Sequence, residues 1–278
     1  MAKGIGLIGN FRGKVGNMVG YNLKDSNNKQ TQGVRVYQPI VKNPKTYGQA
    51  EQRAKLAPIN ATYRALKMII DRGQEGKAYG NKSRLAWLSA AMKAFNGGWF
   101  EKGQDIVVPA WVELTHGSLS SIQVSSVADS MLSLDCSGLT AGTDISTIGK
   151  LSTAIRSYIP IVENGDQLTF VGVQTVGGSL FAETISLVID TTSTENSPAN
   201  FAVSDDAIDF TFSIRLLGAA VILSREGSNG QHLRSTSSII KSTTLTEDYT
   251  SAEKMEAAIK SYMTAGSNVD WAEESIQG

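Results

Sequence analysis

The sequence predicts an α+β protein in which an extended N-terminal arm precedes a helical hairpin, a C-terminal antiparallel β-sandwich and a terminal helix. Three observations lead to this fold class. Glycine, asparagine and lysine dominate residues 1–45, apolar residues recur every three or four positions over 46–104, and they recur every second position from about residue 105. The last two periods are typical of amphipathic helices and of half-buried strands, respectively.

The arm, residues 1–45, carries many glycines and only short apolar pieces, of which Val34-Arg35-Val36 alternates as in a short strand. Gly4-Ile5-Gly6-Leu7-Ile8-Gly9 matches the glycine pattern of dinucleotide-binding loops, but that pattern requires a strand before it and a helix after it. Only three residues precede Gly4, and the glycines that follow Gly9 would each cost a helix about 1 kcal/mol. We therefore expect no cofactor and interpret the glycines as positions of close backbone approach.

Residues 46–104 predict a helical hairpin. Thr46 fits the N-cap of the first helix, Pro58 must kink or restart that helix, and Ser83 is the expected cap of the second helix. The apolar positions of both helices form stripes at three- and four-residue steps, which we expect to pack the hairpin together. These positions are Leu56, Ile59, Tyr63, Leu66, Leu85, Leu88 and Met92.

Residues 105–249 predict about eight strands at the spacing of a β-sandwich. The clearest alternation runs from Ile208 to Leu216, and a short helix is expected over residues 148–158. Asn164-Gly165 and Ser228-Asn229-Gly230 are interpreted as hairpin turns, because such dipeptides favour tight turns between strands.

Residues 250–278 predict a C-terminal helix and a tail. Thr250, Ser251 and Glu253 form a capping sequence at the start of that helix. Four apolar residues are expected to face inward at helical spacing, namely Met255, Ala258, Ile259 and Tyr262.

The charges are unevenly distributed, although the chain has no net charge. Residues 1–87 contain 16 lysines and arginines and four acidic residues, which leaves 10 basic and 22 acidic residues for positions 88–278. Such asymmetry indicates a partner for the basic part. The partner is either nucleic acid or the acidic part of a neighbouring copy, while a solvated basic surface is the third reading.

Residues that typically carry catalysis are few. The two histidines, His116 and His232, do not stand at a metal-ligand spacing, and Cys136 lies in an alternating apolar run that favours a core position. Asp205-Asp206 with Asp209 would suit a divalent ion, but paired acids before a strand are more typical of a solvated turn. We therefore expect neither a metal site nor an enzyme.

Basic and aromatic residues are interleaved along the arm and the first helix. One interpretation is that the basic residues neutralise the phosphates of a nucleic acid without recognising its base sequence. The other is that the aromatic residues anchor the arm to a protein surface, and both interpretations stay open. The predicted assembly or nucleic-acid contacts are Phe11, Arg12, Lys14, Tyr21, Lys24, Arg35, Tyr37, Arg53, Arg64 and Lys67.

The residues Gly9-Asn10-Phe11-Arg12-Gly13-Lys14-Val15-Gly16-Asn17, followed by Asn43-Pro44-Lys45-Thr46 and Gln52-Arg53, resemble a family of uncharacterised proteins. Its members occur in gut Bacteroidetes and in the bacteriophages of such hosts. The resemblance covers roughly residues 1–120 and includes Tyr79-Gly80 and Gly117-Ser118-Leu119. It implies a phage-linked or mobile-element context and assigns no functional site.

We therefore predict a bacteriophage virion structural protein that self-assembles into a shell, ring or tube through its arm and helical hairpin, with other virion proteins as further partners. No apolar run of signal-peptide length follows Met1 and none approaches about 18 residues, so synthesis in the bacterial cytoplasm without a membrane anchor is expected. The first alternative is a non-catalytic, sequence-independent binder of DNA or RNA from phage or host. The second is a hydrolase whose site only the fold would reveal.

Overall fold

The computed structural model divides the chain into two units, Met1–Pro44 and Lys45–Gly278. The first unit contains a small sheet, and the second combines helices with several antiparallel sheets. The residues that the structure describes are 13–15, 17–24, 30–36, 46–104, 112–228, 230–245 and 250–264.

The first unit contains a three-stranded antiparallel sheet in the order β1-β2-β3. Val19 pairs with Lys14 on one side and with Arg35 on the other. The sequence predicts an extended arm here, whereas the described part folds back on itself twice. The backbone groups that an extended arm would leave for a partner are therefore paired within the unit. The strands are β1 (Gly13–Val15), β2 (Met18–Lys24) and β3 (Gln30–Val36).

The second unit begins with three helices. As predicted, Thr46 caps the first helix, and its Oγ1 accepts a hydrogen bond from Gln49 N at 3.4 Å. The helix is not restarted at Pro58, since it continues through the proline and breaks at Leu66 instead. The helices are α1 (Tyr47–Ala65), α2 (Lys67–Ile70) and α3 (Asn81–Lys93).

Two expectations for the second helix of the hairpin are wrong. Gly80, not Ser83, is the N-cap of α3, because the buried Ser83 hydroxyl donates to Ile70 O at 2.6 Å and so ties α3 to α2. Leu85 is 51% exposed, while Trp87 is 1% exposed and occupies the core. The packing face of α3 is therefore centred on Trp87 instead of Leu85, while the predicted Leu88 and Met92 do pack against the same cluster.

The remaining elements form antiparallel sheets and two further helices, which confirms the predicted combination of antiparallel sheets with a C-terminal helix. One sheet has the order β12-β11-β7-β8 with β14 added to β11, a second has the order β5-β6-β10-β9, and β13 pairs with β4. The bounds are β4 (Glu113–Thr115), β5 (Val124–Ala128), β6 (Met131–Asp135), α4 (Ile148–Tyr158), β7 (Gln167–Val176), β8 (Ser179–Val188), β9 (Phe201–Ser204), β10 (Ala207–Thr211), β11 (Gly218–Glu226), β12 (His232–Arg234), β13 (Ser237–Ser238), β14 (Ile240–Lys241) and α5 (Ala252–Thr264).

One of the two predicted hairpins is present and the other is not. Strands β11 and β12 pair across the loop 227–231, as predicted. Asn164-Gly165 instead follows α4, where Gly165 N donates to Ile189 O at 2.7 Å. The real hairpin joins β7 and β8 through Gly177-Gly178, whose φ angles of 55° and 74° suit glycine.

The five-stranded sheet is covered on both faces. Alternate residues of its central strands β7 and β11 belong to two separate hydrophobic clusters. Strands with both faces buried read as continuous apolar runs, which explains Ala219–Leu223. The first cluster joins Leu168, Phe170, Val221 and Leu223 to Leu132, Leu134, Phe210 and Ile155. The second joins Val171, Val173, Ala220 and Ile222 to Ile59, Leu66, Ile70 and Trp87.

The C-terminal helix α5 packs against α1 in a third cluster. Ala50 and Ala54 of α1 are buried against Ala258 and Ile259 of α5, together with Trp99. The small alanines let the two helices approach closely. The prediction that Ala258 and Ile259 face inward is confirmed.

A single carboxylate joins three segments beside the five-stranded sheet. Glu75, between α2 and α3, accepts hydrogen bonds from Ser118 N at 2.9 Å and from Arg234 N at 3.2 Å. Partial burial works to raise the pKa of Glu75, but the hydrogen bonds from Ser118 and Arg234 outweigh it, so the net pKa lies below its usual value. A Cβ at Gly117 would lie 2.2 Å from Arg234 O, so only glycine fits this junction.

The packing of the helices on the sheet leads to a first prediction. Leu66→Ala should lower the free energy of unfolding by about 2–5 kcal/mol, because Leu66 is 1% exposed in the second cluster. The same substitution at the exposed Leu85 is the matched control and should change it by less than about 0.5 kcal/mol. Urea denaturation of both variants measures this, and equal effects would contradict the assigned helix faces.

The Glu75 junction leads to a second prediction. Since the folded state lowers the pKa of Glu75, its contribution is fully present above the unfolded pKa of about 4.5 and is lost as the pH falls through the folded pKa. Glu75→Gln should therefore destabilise the protein at pH 7 by about 1–3 kcal/mol and by less at pH 3. Glu195→Gln, at an exposed carboxylate, is the control. A pH-independent difference for Glu75→Gln in urea denaturation would show that the charge plays no part.

Candidate assembly and nucleic-acid contact surface

The two faces of the N-terminal sheet differ in chemistry. Directly paired residues share a face of an antiparallel sheet, as do alternate residues of one strand. Lys14, Val19 and Arg35 are paired across the three strands, and Tyr21 follows Val19 on the same face. Three of the predicted contact residues, Lys14, Tyr21 and Arg35, thus form one surface, which we call the basic–aromatic face.

A glycine shapes this face. Gly33 pairs with Tyr21, and a Cβ at Gly33 would lie 2.7 Å from the tyrosine ring, so glycine leaves the space that the ring occupies. The Arg35 Cζ lies 6.0 Å from the centroid of the same ring, which is within cation–π range. A guanidinium beside an exposed ring suits both phosphates and stacked bases.

The opposite face of the sheet is apolar, and we call it the apolar face. It carries Met18, Val34 and Val36, since Met18 pairs with Val36 and Val34 lies two positions before Val36 on the same strand. Val34 is 50% exposed and Val36 is 71% exposed. Among the residues of this unit whose exposure the structure describes, only Gly20 is buried. Covering each valine would contribute about 1.5–3 kcal/mol.

Four predicted contacts of the arm remain. Lys24 is the last residue of β2. Phe11, Arg12 and Tyr37 lie outside the described residues.

The predicted contacts on the helices belong to the second unit. Arg53 and Arg64 are exposed on α1, and eleven residues amount to about three turns, so they lie on one side of the helix about 16 Å apart. Lys67 forms an ion pair with Asp71. Their hydrogen bond raises the pKa of Lys67 and lowers the pKa of Asp71. This ion pair makes Lys67 a weaker candidate for a phosphate contact.

The polar residues considered for catalysis lie apart. The His116 Nδ1 lies 2.8 Å from Glu113 Oε1, and His232 begins β12 beside Tyr79. Within the described ranges, neither imidazole is hydrogen-bonded to a hydroxyl or thiol group. Cys136 is fully buried, as predicted, and burial raises the pKa of its thiol to about 11.

The three aspartates weighed as a metal site have separate partners. Asp205 accepts from Ala141 N and Asp206 from Gly138 N, in the turn between β9 and β10. Asp209 is buried and accepts from the Ser133 hydroxyl at 2.6 Å. The interpretation of Asp205-Asp206 as a turn is confirmed. In the part of the chain that the structure describes, no group of three or more histidine, cysteine or acidic side chains is arranged to hold a metal ion.

The apolar face is the functional feature that sequence reasoning missed. The alternation Val34-Arg35-Val36 already placed the arginine and the valines on opposite sides of a strand. What it did not show is the pairing with β2, which brings Met18 beside the valines and Tyr21 beside the arginine.

Comparison with known proteins gives no relative. The chain matches no protein-family profile, and no match was found among curated proteins or solved structures. Among the helices formed by described residues, none is long and apolar enough to cross a membrane. The resemblance to proteins of gut Bacteroidetes and their phages stays a prediction.

Proposed function

We propose that this chain is a structural protein of a bacteriophage virion that self-assembles through its N-terminal sheet. One observation carries the proposal: Val34 and Val36 are 50% and 71% exposed on a sheet in which Gly20 is the only buried residue among those whose exposure the structure describes. Isolated sheets of two or three strands are marginal unless an apolar face is covered. A partner that covers the apolar face would therefore stabilise both the sheet and the contact.

A second copy of this chain is the partner that the charges favour. Residues 1–87 carry 16 basic and four acidic side chains, whereas the rest of the chain carries 10 and 22. A contact between the basic part of one copy and the acidic part of the next would pair these charges. Such head-to-tail contacts close into rings or continue as tubes, depending on the rotation between copies.

The second unit would then form the body of each copy. We take the two sheets that share the first hydrophobic cluster as the facing layers of a β-sandwich. The resemblance of residues 1–120 to phage-linked proteins supports the virion as the place of assembly, with other virion proteins as further partners. The separate positions of the two histidines, Cys136 and the paired aspartates are consistent with a structural, non-catalytic role.

Sequence-independent nucleic-acid binding is the second candidate function. The observation that favours it is the basic–aromatic face, on which Lys14, Tyr21 and Arg35 lie together. Basic side chains would neutralise phosphates there, and the tyrosine ring would stack on a base. This function is compatible with assembly, because the two faces of the sheet are separate surfaces.

Assembly through the apolar face leads to a third prediction. Val34→Asp combined with Val36→Asp should convert nuclease-treated assemblies to monomers, because a buried, unpaired carboxylate is costly. Light scattering and negative-stain electron microscopy of the purified full chain measure this. Val176→Asp with Val188→Asp is the matched control, since these valines are 54% and 57% exposed on strands of the second unit. A wild-type protein that is monomeric at high concentration would refute the proposed function.

The basic–aromatic face leads to a fourth prediction. Lys14→Glu with Arg35→Glu should weaken binding to single-stranded DNA and reduce the slope of log K against log salt by about two, one for each lost phosphate contact. Lys93→Glu with Arg156→Glu, at exposed positions of α3 and α4, is the control. If the first variant loses assembly but DNA binding is absent throughout, the face contacts acidic neighbours instead.

A further inference from the structure

A cleft of about 360 Å³ opens beside α2 on the helix-covered side of the five-stranded sheet. Its volume falls in the range of small-ligand sites. The polar residues that line it come from the segment after α2 and from strands β7, β11 and β12. Besides Gln167, they are Arg72, Tyr79, Thr169, Ser224, His232 and Arg234.

The cleft carries two guanidinium groups whose charge is not paired. The Arg234 Nη1 donates only a long hydrogen bond of 3.4 Å to Ser224 Oγ, and Arg72 lies over the Tyr79 ring. Within the described part of the chain, no carboxylate forms an ion pair with either group. Arg225 on the same strand as Ser224 shows the contrast, because Asp166 and Glu163 occupy its guanidinium.

The carboxylates nearest in the fold do not cancel this charge. Glu75 contacts the backbone N of Arg234 and is held there by Ser118. Glu226 pairs with His232 at the exposed end of β11 and does not line the cleft. The cleft therefore offers strong donors to an anion, and bidentate guanidinium contacts to phosphate are among the strongest hydrogen bonds in proteins.

Two aromatic rings stand beside these arginines. The centroids of Tyr79 and His232 are 6.5 Å apart, and their planes are inclined by 30°. Tyr79 is 54% exposed, so its ring is open to a ligand. Arg72 Cζ lies 5.9 Å from the same ring. A cation and two rings at one site suit a flat heterocycle that is attached to an anion.

We propose that this cleft binds a nucleotide, with the phosphate on Arg72 and Arg234, the base against Tyr79 and His232, and the sugar hydroxyls near Thr169 and Ser224. The site belongs to the second unit and uses none of the residues of the N-terminal sheet. It therefore stands independently of the assembly function. The ligand is either a free nucleotide or a nucleotide within a single strand, because both present the same groups.

Isothermal titration calorimetry of the full chain with AMP, adenosine and inorganic phosphate tests the proposal. AMP should bind at least tenfold more tightly than either fragment, since only AMP uses the arginines and the rings together. Arg72→Gln with Arg234→Gln should weaken AMP binding tenfold or more, and Tyr79→Ala should weaken it about fivefold. Arg156→Gln, at an exposed arginine of α4, is the matched control and should leave binding unchanged.

A short oligothymidylate identifies the source of the nucleotide. Binding at least tenfold tighter than that of dTMP indicates a nucleotide within a strand, and equal binding indicates a free nucleotide. The oligonucleotide titration is repeated in the Lys14→Glu, Arg35→Glu background, which removes the contribution of the N-terminal sheet.

Three results would overturn the proposal: no binding of AMP, dTMP or oligothymidylate; phosphate binding as tight as AMP binding; or unchanged affinity in the cleft variants. Thermal melting confirms that each variant is folded. Should the double arginine variant unfold, Arg72→Gln and Tyr79→Ala alone decide the question, because both side chains are exposed.

Discussion

Burial of both faces of the five-stranded sheet is the constraint on which the second unit depends. Strands β7 and β11 place Phe170 and Val221 in one core and Val171 and Ile222 in the other. The helices therefore pack on one face of this sheet and the four-stranded sheet packs on the other. Both layers depend on the backbone hydrogen bonds that pair β7 with β11. A one-residue shift in the pairing of β11 with β7 would move the side chains of the shifted strand to the opposite core.

Polar groups fasten the loops at the margins of this sheet. The guanidinium of Arg225, at the end of β11, forms two hydrogen bonds to the buried Asp166 and so holds the segment that follows α4. The Asp166 interaction is the main cause that raises the pKa of Arg225. Glu75 performs the corresponding task on the helix side, and the same junction positions Arg234 in the cleft. The contacts of Arg225 with Asp166 and of Glu75 with Arg234 thus hold the chain in place at the edges of the sheet, beyond the two hydrophobic clusters.

Local patterns predicted the elements whose signals are local. The helix over 148–158 and the inward residues Ala258 and Ile259 follow from amphipathic spacing, and the turn at Asp205-Asp206 follows from its composition.

The errors arise where tertiary contacts determine the local structure. Ser83 bonds to Ile70 instead of capping its own helix, and Gly165 pairs with Ile189 instead of closing a hairpin. The alternation of Val34, Arg35 and Val36 likewise predicted that the arginine and the valines face opposite sides of a strand. Which residues lie beside them depends on the non-local pairing of β2 with β3. The cleft brings together Arg72 and Arg234, which are 162 positions apart in the sequence, and no local pattern reveals it.

The lone cysteine gives the molecule an internal reporter. Cys136 is fully buried in the first hydrophobic cluster, and its raised pKa keeps the thiol protonated at neutral pH. Thiol reagents attack the thiolate, so they reach this sulfur only when that core opens. If copies assemble through the N-terminal sheet as we propose, their separation would leave this core closed and the thiol unlabelled. The rate of labelling would then distinguish dissociation of the copies from unfolding of each copy.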